Sequence, residues 1–133
     1  MANSGWVGVD LDGTLAVYDE WRGIGHIGEP IPPIVEFIRE LRRAGVEVRI
    51  FTARCQEGED AIRAIEYWCE MYIGEVLPVT DRKDFGMVYL LDDRVVVVER
   101  NTGRVLSPIP SVQSIKDHWN VEKGAPSPEE FKQ

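Results

Sequence analysis

Short apolar runs alternate with amphipathic stretches along the first ninety residues, and this alternation leaves few folds open. Trp6–Leu11 reads as a buried strand, an apolar run ended by Asp and Gly. Pro32 and Pro33 suit a first helical turn, and Ile34, Val35, Ile38 and Leu41 follow at helical spacing until Gly45, after Arg42 and Arg43, stops the helix. Val46–Thr52 is a second strand. Glu57–Ile73 is a second amphipathic helix, with Ala61, Ile65, Trp68 and Tyr72 on one face, Ile62 and Cys69 beside them, and Gly74 as its stop. Glu75–Thr80 is a weaker strand interrupted by Pro78, and Met87–Leu91 is a further short one. Strands alternating with helices imply right-handed crossovers and an α/β fold, with a mainly parallel central sheet covered on both faces.

The rest of the chain is less regular. The stretch 16–30 is rich in Gly and aromatic residues without a sustained period, and reads as a structured loop. VVVVERNTGRVLS, from Val95, predicts a hairpin turning at Asn101-Thr102-Gly103. Beyond Pro108 the chain predicts a short helix over Ser111–Trp119 and a mobile tail over Asn120–Gln133. We therefore expect one core domain over residues 1–110 and a C-terminal helix and tail over 111–133, within the size of a single buried core.

Charge and cysteine usage narrow the function classes. A net charge of -8 disfavours a protein that coats long nucleic acid, which needs clustered Lys and Arg, but leaves room for a small anion in a locally positive pocket. The two cysteines, Cys55 and Cys69, show no metal-binding spacing, and Cys69 reads as a small core residue. The N-terminal stretch has no basic region followed by an apolar signal core, and no apolar run approaches membrane length; a cytoplasmic protein with no membrane partner is expected.

Polar residues collect where the strands end: Asp10 and Asp12, then Thr52, then Asp92 and Asp93, with Lys83 after the weak strand. In open parallel sheets ligands bind at the carboxyl ends of the strands. Four carboxylates converging there need a cation, and an all-oxygen set without His or Cys suits Mg²⁺. Asp10 and one of Asp92 or Asp93 are the expected direct ligands, with a carbonyl oxygen of Asp12 as a further one. Because Mg²⁺ commonly also takes a phosphate, the site should receive a phosphate ester. A carboxylate can attack phosphorus to form an aspartyl-phosphate, while a second carboxyl group moves the proton; Asp10 and Asp12 suit these roles. Thr52 can hydrogen-bond a phosphoryl oxygen, Lys83 can balance charge, and Gly13 permits a sharp turn with N–H groups facing phosphate.

These residues resemble a known family. DLDGTL at 10–15 is similar to the Asp-x-Asp-Gly-Thr-Leu signature of the haloacid dehalogenase superfamily. The threonine ending VRIFT resembles that family's second motif, Lys83 its third, and Asp92-Asp93 its fourth, all in family order. The resemblance implies a Rossmann-like three-layer sandwich, Mg²⁺, Asp10 as nucleophile and Asp12 as acid/base. Lys83 lies close before Asp92 for such a protein, and Arg82 is a neighbouring candidate for the same role. Only the 36 residues Leu15 to Ile50 separate the first motif from Phe51, and one helix uses many of them, so the chain resembles capless members. Such members act on large substrates or cover the site with a loop or a partner subunit, here a homo-oligomer.

Arg54 and Arg94 each follow a motif position and are candidates for substrate contact, although surface ion pairing is the commoner role of such arginines. Trp21 and His26 sit in the Gly-rich loop after the first strand, where Trp21 could stack on a base or sugar and His26 could bind a leaving group. The expected function is a Mg²⁺-dependent phosphomonoesterase acting on a nucleotide or other small phosphate ester, with a polynucleotide end as a further candidate. A receiver-like signalling module uses similar residue types, but there an Asp ends the middle strand, where this chain has Thr52.

Overall fold

The computed structural model describes residues 5–117. Four parallel strands, β1 (Trp6–Val9), β2 (Glu47–Phe51), β3 (Val79–Thr80) and β4 (Met87–Leu91), form one sheet in the order β3-β2-β1-β4. Helix α1 (Pro32–Arg43) joins β1 to β2, and α2 (Glu59–Tyr72) joins β2 to β3. The α/β fold and its parallel sheet agree with the sequence pattern. Among the described residues no helix is long and apolar enough to cross a membrane.

The two crossovers step the same way across the sheet, so equal handedness puts α1 and α2 on the same face. One core accordingly joins Val35 and Ile38 of α1 to Ile65, Trp68 and Cys69 of α2, over Val9, Val48 and Ile50 of the strands. Neither helix supplies the second helical layer that a three-layer sandwich requires. On the opposite face Trp6 is buried by other means. The Arg49 guanidinium lies 4.4 Å from its ring centroid, and its Nε1 donates to Asp84 Oδ1 at 2.9 Å. Gly8 leaves the necessary room, since a Cβ there would press on Leu90, Trp6 and Met87.

Local chemistry explains where the elements depart from their sequence pattern. The second helix begins at Glu59 rather than Glu57, because Gly58 adopts φ +96 and separates it from a 3₁₀ turn over Ala53–Glu57. The strand expected over Glu75–Thr80 shrinks to Val79–Thr80, because Pro78 has no N–H for the ladder and contributes only its carbonyl, which accepts from Ile50 N at 2.8 Å. The hairpin forms as a minimal ribbon with one bridge, Val98 to Val105, and Asn101 and Gly103 at positive φ in its turn. A third helix, α3, runs over Val112–Asp117. Trp119 and the tail expected over Asn120–Gln133 lie outside the described residues.

Burial pushes the Cys69 thiol up to about 11, as expected of an inert core residue.

Candidate active site at the strand ends

Strand order reverses between β1 and β4: the chain moves outward from β1 through β2 to β3, then returns to the other side of β1. A crevice opens at such a point beyond the carboxyl ends of the strands. The two ends are tied together by Asp10 N, which donates to the Leu91 carbonyl at 2.9 Å. Asp10 and Asp12 therefore leave one side of the crevice and Asp92 and Asp93 the other. Directly after β1 the chain coils tightly, with the amides of Thr14, Leu15 and Ala16 all pointing at the Leu11 carbonyl. Leu11 and Leu15 anchor this coil by full burial. Gly13 sits in it at φ +92, and a Cβ there would come within 2.6 Å of Asp93 Oδ2. A side chain of any size would be strained there, so the position requires glycine.

Three carboxylates converge: Asp10, Asp92 and Asp93 each offer an oxygen within 4.8 Å of the others. Thr14 Oγ1 lies 3.3 Å from Asp10 Oδ2 and 3.1 Å from Asp93 Oδ1, and its single proton serves one of them at a time. Desolvation by burial, then a hydrogen bond to Asp93 and the charges of Asp92, Asp93 and Asp12, push Asp10 up to about 8. At neutral pH this carboxyl group is therefore held largely neutral. A divalent cation among the three oxygens removes that penalty, and an all-carboxylate set matches a hard ion such as Mg²⁺.

Asp12 takes a different course. Its carboxylate is gripped by Arg54, with Nε donating to Oδ2 at 2.7 Å and Nη2 to Oδ1 at 2.9 Å. Asp12, expected to offer a cation its carbonyl oxygen, thus has its side chain engaged by a guanidinium. Arg54 is 5% exposed, so the surface ion pairing expected of it is replaced by a buried one. Its Nη2 also donates to the His26 carbonyl at 3.0 Å, and its guanidinium carbon lies 4.9 Å from the Trp21 ring centroid. Nη1 is buried with no hydrogen-bond partner among the described residues. Thr52, 4% exposed, directly follows β2 and accepts from Arg54 N at 3.1 Å, which turns the chain so that Arg54 reaches the coil after β1.

The loop after β1 closes on itself. Val17 N donates to the Glu29 carbonyl at 2.8 Å, and Ile31 N donates to the Leu15 carbonyl at 2.8 Å, forming a neck. Trp68 Nε1 on α2 donates to the Gly28 carbonyl at 3.0 Å, and a Cβ on Gly28 would collide with the Val17 carbonyl. Trp21 and His26 are thereby brought to Arg54. His26 reaches it through its backbone, while its side chain is exposed. Lys83 is not brought to the carboxylates: it is exposed and makes no ion pair with a described residue. Arg82 is exposed too, with its N–H on Thr80 Oγ1. Arg94 N donates to Asp92 Oδ1 at 2.8 Å, closing a turn that presents Asp92.

The importance of Arg54 was the reading missing from the sequence. One signal pointed toward it: two aspartates on the same side of a strand end require a positive partner. Distance along the chain does not reveal which cation supplies it.

No protein-family model and no curated protein matches this chain. A solved structure of a conserved protein coded by a locus of Bacteroides thetaiotaomicron is similar at 26% identity and a TM-score of 0.54, over 71% of this chain and 79% of that one.

Proposed function

We propose that the protein is a Mg²⁺-dependent phosphomonoesterase of the capless haloacid dehalogenase type, acting on a nucleotide or other small phosphate ester. The observation that carries this reading is the division of labour among the acids. Asp10, Asp92 and Asp93 bring carboxylate oxygens close enough together to hold a cation, while Asp12, two residues from Asp10, is held apart by Arg54. A bound Mg²⁺ would be held by Asp10, Asp92 and Asp93, and would offset the repulsion between a carboxylate and a phosphate dianion.

The chain's own residues then divide the reaction. Asp10 attacks phosphorus, and the bond from phosphorus to the ester oxygen breaks as the Asp10 oxygen–phosphorus bond forms. The Asp12 proton passes to the departing oxygen. In the second half water bonds to phosphorus, the bond to Asp10 breaks, and a water proton returns to Asp12, so both aspartates end as they began. The Thr52 hydroxyl supplies a donor for a phosphoryl oxygen, while the amides of the Gly13 coil are spent on the Leu11 and Ala16 carbonyls and hold the coil's shape. Two of the bonding positions on the Asp12 oxygens go to Arg54, leaving the others for the ester oxygen or water.

The test is phosphate release from a panel of nucleotide, sugar and polynucleotide phosphates with Mg²⁺, run beside Asp10→Asn. Release by the wild type and none by the variant supports the reading. Equal release by both removes Asp10 as nucleophile. No release by either, with a stable phosphoaspartate after acetyl phosphate, supports a signalling module instead.

A further inference from the structure

Arg54 is buried more deeply than most arginines, yet among the described residues one of its nitrogens has no acceptor. Burying a guanidinium is costly unless its geometry is needed. Each bond it does make is informative. Two go to Asp12, one goes to the His26 carbonyl, and its guanidinium carbon lies over the Trp21 ring. The last two partners belong to the loop 17–29, which is joined to the domain at the Val17–Glu29 neck and by Trp68 Nε1 on the Gly28 carbonyl. Asp12, Arg54 and the loop therefore form one connected unit.

We propose, resting on the phosphatase reading above, that Arg54 is a positioning residue for Asp12 and that the loop 17–29, through the His26 carbonyl and the Trp21 ring, locks it there. The proton step then requires an ordered loop. Arg54 touches neither phosphorus nor the ester oxygen; it fixes the direction in which the Asp12 carboxyl group points. A guanidinium whose Nε and Nη2 grip two oxygens in one plane does this, whereas the single point charge of a lysine does not.

The dependence on the leaving group separates this role from general structural support. p-Nitrophenolate leaves without needing a proton, whereas a sugar or nucleoside alkoxide needs one. We therefore expect Arg54→Lys to lower kcat/KM for an alkyl phosphate by about 100-fold and for p-nitrophenyl phosphate by less than about fivefold. Trp21→Ala should act in the same direction by about 3- to 10-fold on the alkyl ester. A partly unfolded preparation lowers both substrates equally, so the ratio of the two is unaffected by poor folding. A parallel fall on both substrates overturns the proposal.

Should the wild type release no phosphate at all, the phosphatase reading and its leaving-group arm both fail. The coupling is read separately by amide hydrogen exchange. Arg54→Lys should speed exchange across Trp21–Gly28 by at least about tenfold while the strands stay protected. Unchanged exchange there overturns the coupling, whatever the activity.

Discussion

Asp10 and Asp12 lie two residues apart, yet the structure treats them in opposite ways. Asp10 is half-buried among other acids, and burial together with those acids favours its neutral form. Asp12 has a guanidinium placed against both its oxygens. The difference follows from topology. Asp10 faces the end of β4, which contributes Asp92 and Asp93, whereas Asp12 lies one coil further on and meets the turn that follows β2. Adjacent strands on either side of β1 thus deliver like charge to one acid and opposite charge to the other. One acid waits for a partner from outside; the other already has one from within.

This contrast can be broken most forcefully at Asp10. On the phosphatase reading, Asp10→Asn should lower phosphate release by about 10⁴-fold or more, measured under single-turnover conditions with Mg²⁺. Retention of even a tenth of the activity would mean that the two acids do not differ as proposed.

The next largest effect lies on the other side. Arg54→Met leaves Asp12 without its cation and should cost about 2–3 kcal/mol of stability in urea unfolding, less than for a deeply buried pair because the Asp12 side chain is 20% exposed. Asp12→Asn combined with Arg54→Met should recover part of that loss. Strict additivity of the two changes would show that the pair is not a unit.

Gly13 directly follows Asp12 and lies against Asp93, which stands beside Asp10. Gly13→Ala forces a Cβ toward Asp93 Oδ2 at a positive φ, and should cost about 1–2 kcal/mol. It should also weaken Mg²⁺ binding in a calorimetric titration, since Asp93 must move. Undiminished binding would remove Asp93 from the cation site.

The remaining effect is on pH dependence. With Asp10 at about 8 in the folded protein and 3.8 as its ordinary value, the folded state keeps a proton that the unfolded chain loses as pH rises above 4. Stability from this group therefore falls as pH rises from about 4 to about 8, and is level outside that window. In the absence of divalent cations, the melting temperature of the wild type should drop by about 3 °C or more between pH 5 and 8 relative to Asp10→Asn. Added Mg²⁺ should flatten the difference. Parallel pH profiles for the two proteins would show that Asp10 is not held neutral.

Those acids were legible in the sequence because they stand at the ends of apolar runs, a position that parallel sheets reserve for ligands. The same reasoning located α1 from its Pro-Pro start and its Gly45 stop, and β4 from the run Met87–Leu91. It misjudged β3, because the apolar Val76 and Leu77 look strand-like while Pro78 denies the ladder a donor. It also expected helices on both faces, since periodicity marks a helix as amphipathic without saying which side of the sheet it will meet. That side follows only from strand order. Arg54 was the harder case. A buried arginine differs in no local respect from an exposed one in sequence, and its partners Asp12, His26 and Trp21 lie between 28 and 42 residues away or are held by a loop without periodicity.

The closed neck of the loop 17–29 has a consequence for how such a protein can change over evolutionary time. Because the chain re-enters the domain beside the point where it left, between Leu15 and Ile31, segments of other lengths can be exchanged there without re-registering β1 or α1. The exchange is not unconstrained. Any replacement has to present one carbonyl oxygen and one flat ring to the same guanidinium. The loop is thus an exchangeable cassette with a two-point connector, and on the phosphatase reading new substrate preferences could be tried in it while the Asp12–Arg54 pair stays in place.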